Sequence, residues 1–178
     1  MSRLLASASK QPFGPCWVSA GWNDASHPEL VSAVVTHELP NGLLLPGVAL
    51  VDRTCLGVKD GFASEPLTPH EASQFAAKVG TPHGGMEACE PLLVQSIVYH
   101  AIAYARSLGF SPHRDFPEAL FGPVPKQLLD TPFCAPERPM FFPGPRDNVS
   151  AIMSRLNGTV GDGNYIVASD PALLSEQL

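Results

Sequence analysis

The residues able to do chemistry crowd into one short run of the chain, Asp52–Asp60. Asp52, Cys55, Lys59 and Asp60 fall within these nine residues, where a long apolar segment gives way to mixed polar chemistry, and sites often assemble where a strand ends. Two carboxylates could share a divalent cation, because hard cations take oxygen ligands. Cys55 could serve as a nucleophile if the fold set a histidine beside it. A nucleophile elbow, however, needs glycines on both sides of the cysteine, and only Gly57 is present. The plainer reading makes Asp52 a turn cap, Lys59 a surface charge and Cys55 a small buried apolar side chain.

Histidines form a second group. His113 with Asp115 could make an ordered imidazole–carboxylate pair for acid–base work, although Pro-His-x-Asp also suits a tight loop. His100 has no histidine or glutamate four residues away, so a zinc helix of the H-E-x-x-H kind is absent. Cys16, Cys55, Cys89 and Cys134 lie far apart with no C-x-x-C, the wrong spacing for a zinc ribbon. Neither phosphate-binding glycine motif occurs. No particular metal or cofactor follows from these spacings.

The elements that must position these groups can be read from periodicity. Glu90–Phe110 is the anchor: Leu93, Val94, Ile97, Val98, Ala101, Ile102, Ala105 and Leu108 repeat as one helical face. Pro91 suits the first helical position, and Gly109 with Phe110 suits a Schellman stop. Before it, Cys16–Trp22, Leu30–Glu38 and Leu43–Asp52 read as strands, with Asn41-Gly42 turning the second into the third. The last of these is an almost unbroken apolar run, expected at the centre of the sheet, with Pro46-Gly47 predicting a bulge or interruption. Thr68-Pro69-His70-Glu71 is a capping box opening a short helix that Gly80 stops. Val149, Ile152, Met153 and Leu156 mark a last helix capped by Asp147, and Tyr165–Ala168 a final strand.

Together these predict an α+β domain over residues 16–178: a three-stranded antiparallel meander plus a C-terminal strand, with helices packed on one face. Residues 1–15 read as a loose arm, and residues 111–145 as an irregular proline-rich crossing. Its Phe133, Phe141 and Phe142 are expected to fold onto the domain, since large exposed apolar patches are uncommon on monomers.

Composition excludes several classes. The chain of 178 residues is 44% hydrophobic and 16% charged, with a net charge of −6. That is a globular balance, and its scattered basic residues form no stripe for nucleic acid, although a small local basic site remains open. No run approaches the ~20 apolar residues of a membrane span. The expected setting is cytoplasmic and reducing.

Three stretches carry a resemblance: Leu50–Phe62 (LVDRTCLGVKDGF), Tyr104–Phe116 (YARSLGFSPHRDF) and Phe142–Tyr165 (FPGPRDNVSAIMSRLNGTVGDGNY). Together they resemble an uncharacterised group of bacterial proteins, some of which carry an additional SEC-C type metal-binding tail that this chain lacks. The resemblance implies a bacterial, intracellular origin and yields no catalytic assignment. It singles out Asp52, Lys59, Asp60, His113 and Asp115 for testing. The leading expectation is an accessory module that binds a protein partner or itself. The alternative is a metal-dependent hydrolase or nuclease using Asp52 and Asp60, with His113 or His100 as base. A Cys55 thiol enzyme is the third.

Overall fold

The structure, a computed structural model, describes residues 2–24, 30–132 and 134–168. Phe133 and most of the polar connection expected over residues 23–29 lie outside those residues. In chain order the elements are α1 (Ser2–Ala8), β1 (Cys16–Ser19), β2 (Leu30–Glu38), β3 (Leu44–Asp52), β4 (Gly57–Ala63), α2 (Pro69–Gly80), β5 (Met86–Cys89), α3 (Pro91–Ser107), α4 (Glu118–Phe121), β6 (Met140–Phe141), α5 (Val149–Val160) and β7 (Ile166–Val167).

The fold is α+β, built on a five-stranded antiparallel sheet in the order β4-β3-β2-β1-β5. The expected meander is its centre. β2 and β3 pair without a break from Leu30↔Asp52 to Glu38↔Leu44, and Gly42 turns them with φ +78°. Pro46 interrupts nothing: it stands opposite Thr36 in register. On its other side, just past the end of β4, it accepts a bond from Ser64 N–H (3.0 Å). The bulge lies elsewhere, in β4 opposite Leu50 and Val51.

Side-chain parity assigns the two faces. Val31, Ala33, Val35, Ala49, Val51 and Val58 pack with Val94, Ile97, Val98, Ala101 and Ile102 of α3 in the main core. The opposite parity, Ser32, Val48, Leu50, Asp60 and Phe62, shares a groove with Val79 of α2, and Phe62 meets Phe75 of α2 edge to face. The helices therefore cover both faces, not the one expected: β3 is apolar on both parities, and β2 and β3 are buried at nearly every position.

α3 begins at Pro91 behind Glu90 and ends as the sequence predicts. Phe110 N–H bonds Ala105 O (2.8 Å) and Gly109 N–H bonds Arg106 O (3.0 Å), the paired bonds of a Schellman stop. The capping box of α2 is present in both directions between Thr68 and Glu71.

Three expectations change. The N-terminal arm contains a helix, α1, and buries Ala8 completely. The C-terminal strand does not join the main sheet: β7 pairs in parallel with β6, a strand of the proline-rich crossing. α5 is capped by Asn148, whose Oδ1 accepts Ala151 N–H (3.1 Å), while Asp147 is engaged elsewhere. The crossing itself does fold onto the domain, with Leu120, Phe121 and Phe141 fully buried. Among the described residues no helix is long and apolar enough to cross a membrane.

Candidate functional site

The turn between β3 and β4 is tightly built and closed to solvent. Asp52 is 1% exposed. Its Oδ1 accepts Thr54 N–H (2.9 Å), the Thr54 hydroxyl (3.0 Å) and Cys55 N–H (2.9 Å). This is the turn-cap role, and it leaves Oδ2 buried with no hydrogen-bond partner among the described residues. Burial raises the carboxyl above its ordinary range, against the lowering pull of the Thr54 bonds. Cys55 is wholly buried in a second apolar cluster with Leu56, Leu108, Phe141 and Leu156. Burial first, then the Asp52 charge, push its thiol far up, away from a reactive thiolate. Gly57 lets the chain turn at φ +72°, pressed so closely on α3 that a Cβ would stand 2.7 Å from Ala105 Cβ.

The bulge in β4 then sends neighbouring side chains apart. Leu50 pairs with Asp60 and Val51 with Val58, so Lys59 is the extra residue. Its ammonium reaches across to Asp147 Oδ2 (2.7 Å) and Phe142 O (3.2 Å), and Asp147 also accepts Gly144 N–H (2.7 Å). Both side chains of this ion pair are nearly buried, at 13% and 14% exposure. Lys59 is thus no surface charge; it ties the proline-rich crossing to β4.

Asp60 points the other way. Its Oδ1 accepts the N–H of Gly61 (2.8 Å) on the sheet's edge strand and lies 3.7 Å from His113 Nδ1. Occupying an edge donor is one way to discourage strand addition. His113 N–H bonds Val58 O (2.9 Å), which places its ring beside Asp60. The ring also faces Asp115, whose backbone N–H donates to Nδ1 (3.3 Å). Asp60, His113 and Asp115 therefore meet, half exposed, as a loop-and-edge cluster. Asp52 turns into the β3–β4 turn instead. Among the described residues no three His, Cys, Asp or Glu side chains are grouped to hold a metal ion.

The stretches Leu50–Phe62, Tyr104–Phe116 and Phe142–Tyr165 converge here. The first meets the third through Lys59 and Asp147, and the first meets the second through Asp60 and His113. The second meets the third where the Arg155 guanidinium donates to Gly109 O and lies over the Phe110 ring (5.8 Å to the centroid). Between α5 and the end of α3 they leave a cleft of about 490 Å³ lined by Phe110, Ser111, Arg146, Asp147, Asn148, Ala151, Ile152 and Arg155. Arg146 is exposed.

His100 belongs to a separate cleft of about 320 Å³, with Tyr104, Asp130, Thr131 and Cys134 on its walls. His100 Nδ1 lies 2.7 Å from Thr131 Oγ1, which lies 3.4 Å from Cys134 Sγ. The Tyr104 hydroxyl donates to Pro136 O (2.7 Å) and holds the wall. Beneath, the fully buried Arg53 donates through Nη1 to Trp22 O (2.6 Å) and Pro132 O (3.2 Å). Burial raises the Cys134 thiol, while the Thr131 bond and the Arg53 charge pull it down. The histidine that Cys55 lacks therefore stands near Cys134. None of Cys134, Thr131, Arg146, Asp147 and Arg155 was a candidate site residue from sequence, where Asp147 was read only as a helix cap and Cys134 only as one of four scattered cysteines, and no spacing motif joins them. Comparison with family models, with curated proteins and with solved structures gave no match to this chain.

Proposed function

We propose that the protein is a binding module that takes an acidic segment of a partner protein into the cleft between α3 and α5. The observation that carries this is the Arg146–Arg155 pair lining a 490 Å³ cleft whose walls are pinned by the Lys59–Asp147 ion pair. Arg155 is committed to Gly109 O and Phe110, which fixes its guanidinium at the rim. A guanidinium offers a planar fork of donors matched to carboxylates. On a chain of net charge −6 such a local basic site selects its ligand at short range, since salt screens the opposing long-range field. Two arginines are too few for a nucleic-acid backbone track. A cytoplasmic setting goes with this reading.

A random-peptide library displayed on phage and panned on the immobilised protein tests it. We expect acid-rich peptides, at least about tenfold weaker toward Arg146→Ala and weakened by salt, with Asp60→Asn unchanged. Peptides without acidic enrichment, or indifference to Arg146→Ala, would refute it.

A second reading, thiol chemistry, moves from Cys55 to Cys134, favoured by the Cys134–Thr131–His100 chain. A proton could pass from sulfur to the Thr131 oxygen as the Thr131 proton passes to Nδ1. Iodoacetamide labelling of Cys134 should then slow in Thr131→Val; an unchanged rate removes the idea. The metal-dependent hydrolase reading draws no support from the geometry, because Asp52 is sealed in its turn while Asp60 sits at the sheet edge.

A further inference from the structure

Cys16 and Cys89 are directly opposed residues of the antiparallel pair β1–β5. Residues so opposed project to the same side of a sheet, with Cβ atoms about 4.5–5.5 Å apart. Both do face the same core: Cys16 is part of the main cluster and Cys89 packs against it. Both thiols are free. Ala20 N–H bonds Gly85 O (3.0 Å), and counting along the ladder makes Cys16 and Cys89 another hydrogen-bonded pair. Such pairs hold Cα atoms about 5.5 Å apart, inside the range disulfides use. Their Cβ atoms must close by roughly 1 Å to reach disulfide geometry. β5 can supply that movement, being a four-residue strand at the edge of the sheet with only β1 beside it.

We propose that Cys16 and Cys89 form a reversible oxidation site: a peroxide converts the dithiol to a cross-strand disulfide that clamps β5 to β1, directly before α3. Cys89 is half-buried and Cys16 2% exposed, so Cys89 meets the oxidant first. Its sulfur attacks one peroxide oxygen, the O–O bond breaks, and a sulfenic acid and one water result. The sulfur of Cys16 then attacks the sulfenic sulfur, the S–S bond forms, and a second water leaves. The dithiol loses two electrons and two protons, and the peroxide is reduced to two waters. Burial holds Cys16 up at about 11 and Cys89 at about 12. The reaction at neutral pH is therefore slow, and its rate should climb about tenfold per pH unit until the thiols titrate. The site responds to sustained oxidation, not to a brief pulse.

The native protein is exposed to hydrogen peroxide at pH 8, then alkylated and digested. The expected result is a Cys16–Cys89 linked peptide, loss of two of the four thiols, and reversal by dithiothreitol. The oxidised protein should also melt at higher temperature than the reduced one, a difference absent in Cys89→Ser. Cys89→Ser is the informative variant, because its half-buried site tolerates a hydroxyl better than the core position of Cys16. Linkage through Cys134, intermolecular dimers, over-oxidation of Cys89 without a link, or no oxidation over hours would each overturn the assignment.

Discussion

Lys59→Met removes the charge that ties the proline-rich crossing to the sheet while keeping the side-chain stem. The ammonium makes two contacts, to Asp147 Oδ2 at 2.7 Å and to Phe142 O at 3.2 Å. Breaking a fully buried ion pair costs about 3–5 kcal/mol, and a surface pair contributes about 0–1 kcal/mol. With the two side chains 13% and 14% exposed, this pair lies near the buried limit but is partly screened. Asp147 also keeps Gly144 N–H as a partner after the change. The expected loss is therefore about 2–3 kcal/mol. With a denaturant slope of about 2 kcal/mol/M, the urea midpoint should fall by about 1–1.5 M. Amide exchange should quicken over residues 142–148, and affinity for acidic peptides should fall with it, because Asp147 and Asn148 form one wall of the cleft. A double-mutant cycle with Asp147→Asn should show coupling of at least about 1 kcal/mol. A loss under about 0.5 kcal/mol with unchanged exchange would refute the reasoning. It would mean that buried Phe141 and Leu120 hold the crossing alone.

Other outcomes follow from single positions. Gly57→Ala should destabilise by about 2–4 kcal/mol, combining left-handed backbone strain with a 2.7 Å approach to Ala105. Gly42→Ala, at φ +78° with nothing within 4 Å, should cost only about 1–2 kcal/mol; equal losses in denaturant melts would dismiss the steric argument. Asp52 has its folded carboxyl raised above the ordinary 3.8, so the folded state holds its proton more tightly than the unfolded one. That contribution is fully present below the unfolded value and is lost as pH rises through the folded one. Asp52→Asn, which keeps an acceptor for Thr54 and Cys55, should therefore gain on the wild type as pH climbs from about 4, and parallel stability curves would contradict this. In native protein, Cys134 and Cys89 should alkylate well before Cys55, which is wholly buried; early labelling of Cys55, mapped by mass spectrometry, would show that the turn opens.

Local signals were legible where local physics decides. The capping box at Thr68, the Asn41-Gly42 turn and the stop at Gly109 each depend on bonds within a few residues, and each is found as read. The turn-cap role of Asp52 belongs with them, since its partners are two and three residues away. β4 and β5 were missed for the opposite reason. GVKDGFA and MEAC have no clean alternation; they are strands because β3 and β1 stand ready beside them. Tertiary pairing overrode weak propensity. Lys59 was misjudged because a lysine's partner cannot be seen when it is 88 positions away. Cys55 and Cys134 look alike in sequence, yet only Cys134 lies near a histidine, across a separation that no spacing rule spans.

The sequence alone determined the meander, the three longer helices, the ends of α2 and α3 and the α+β class, because hydrophobic period and terminal hydrogen bonds are properties of neighbouring residues. Only the tertiary structure decided that the sheet is covered on both faces, that β7 pairs with β6, and which charged groups meet. Those outcomes rest on long-range packing and on one bulged residue in β4, which sends Lys59 toward Asp147 and leaves Asp60 to His113.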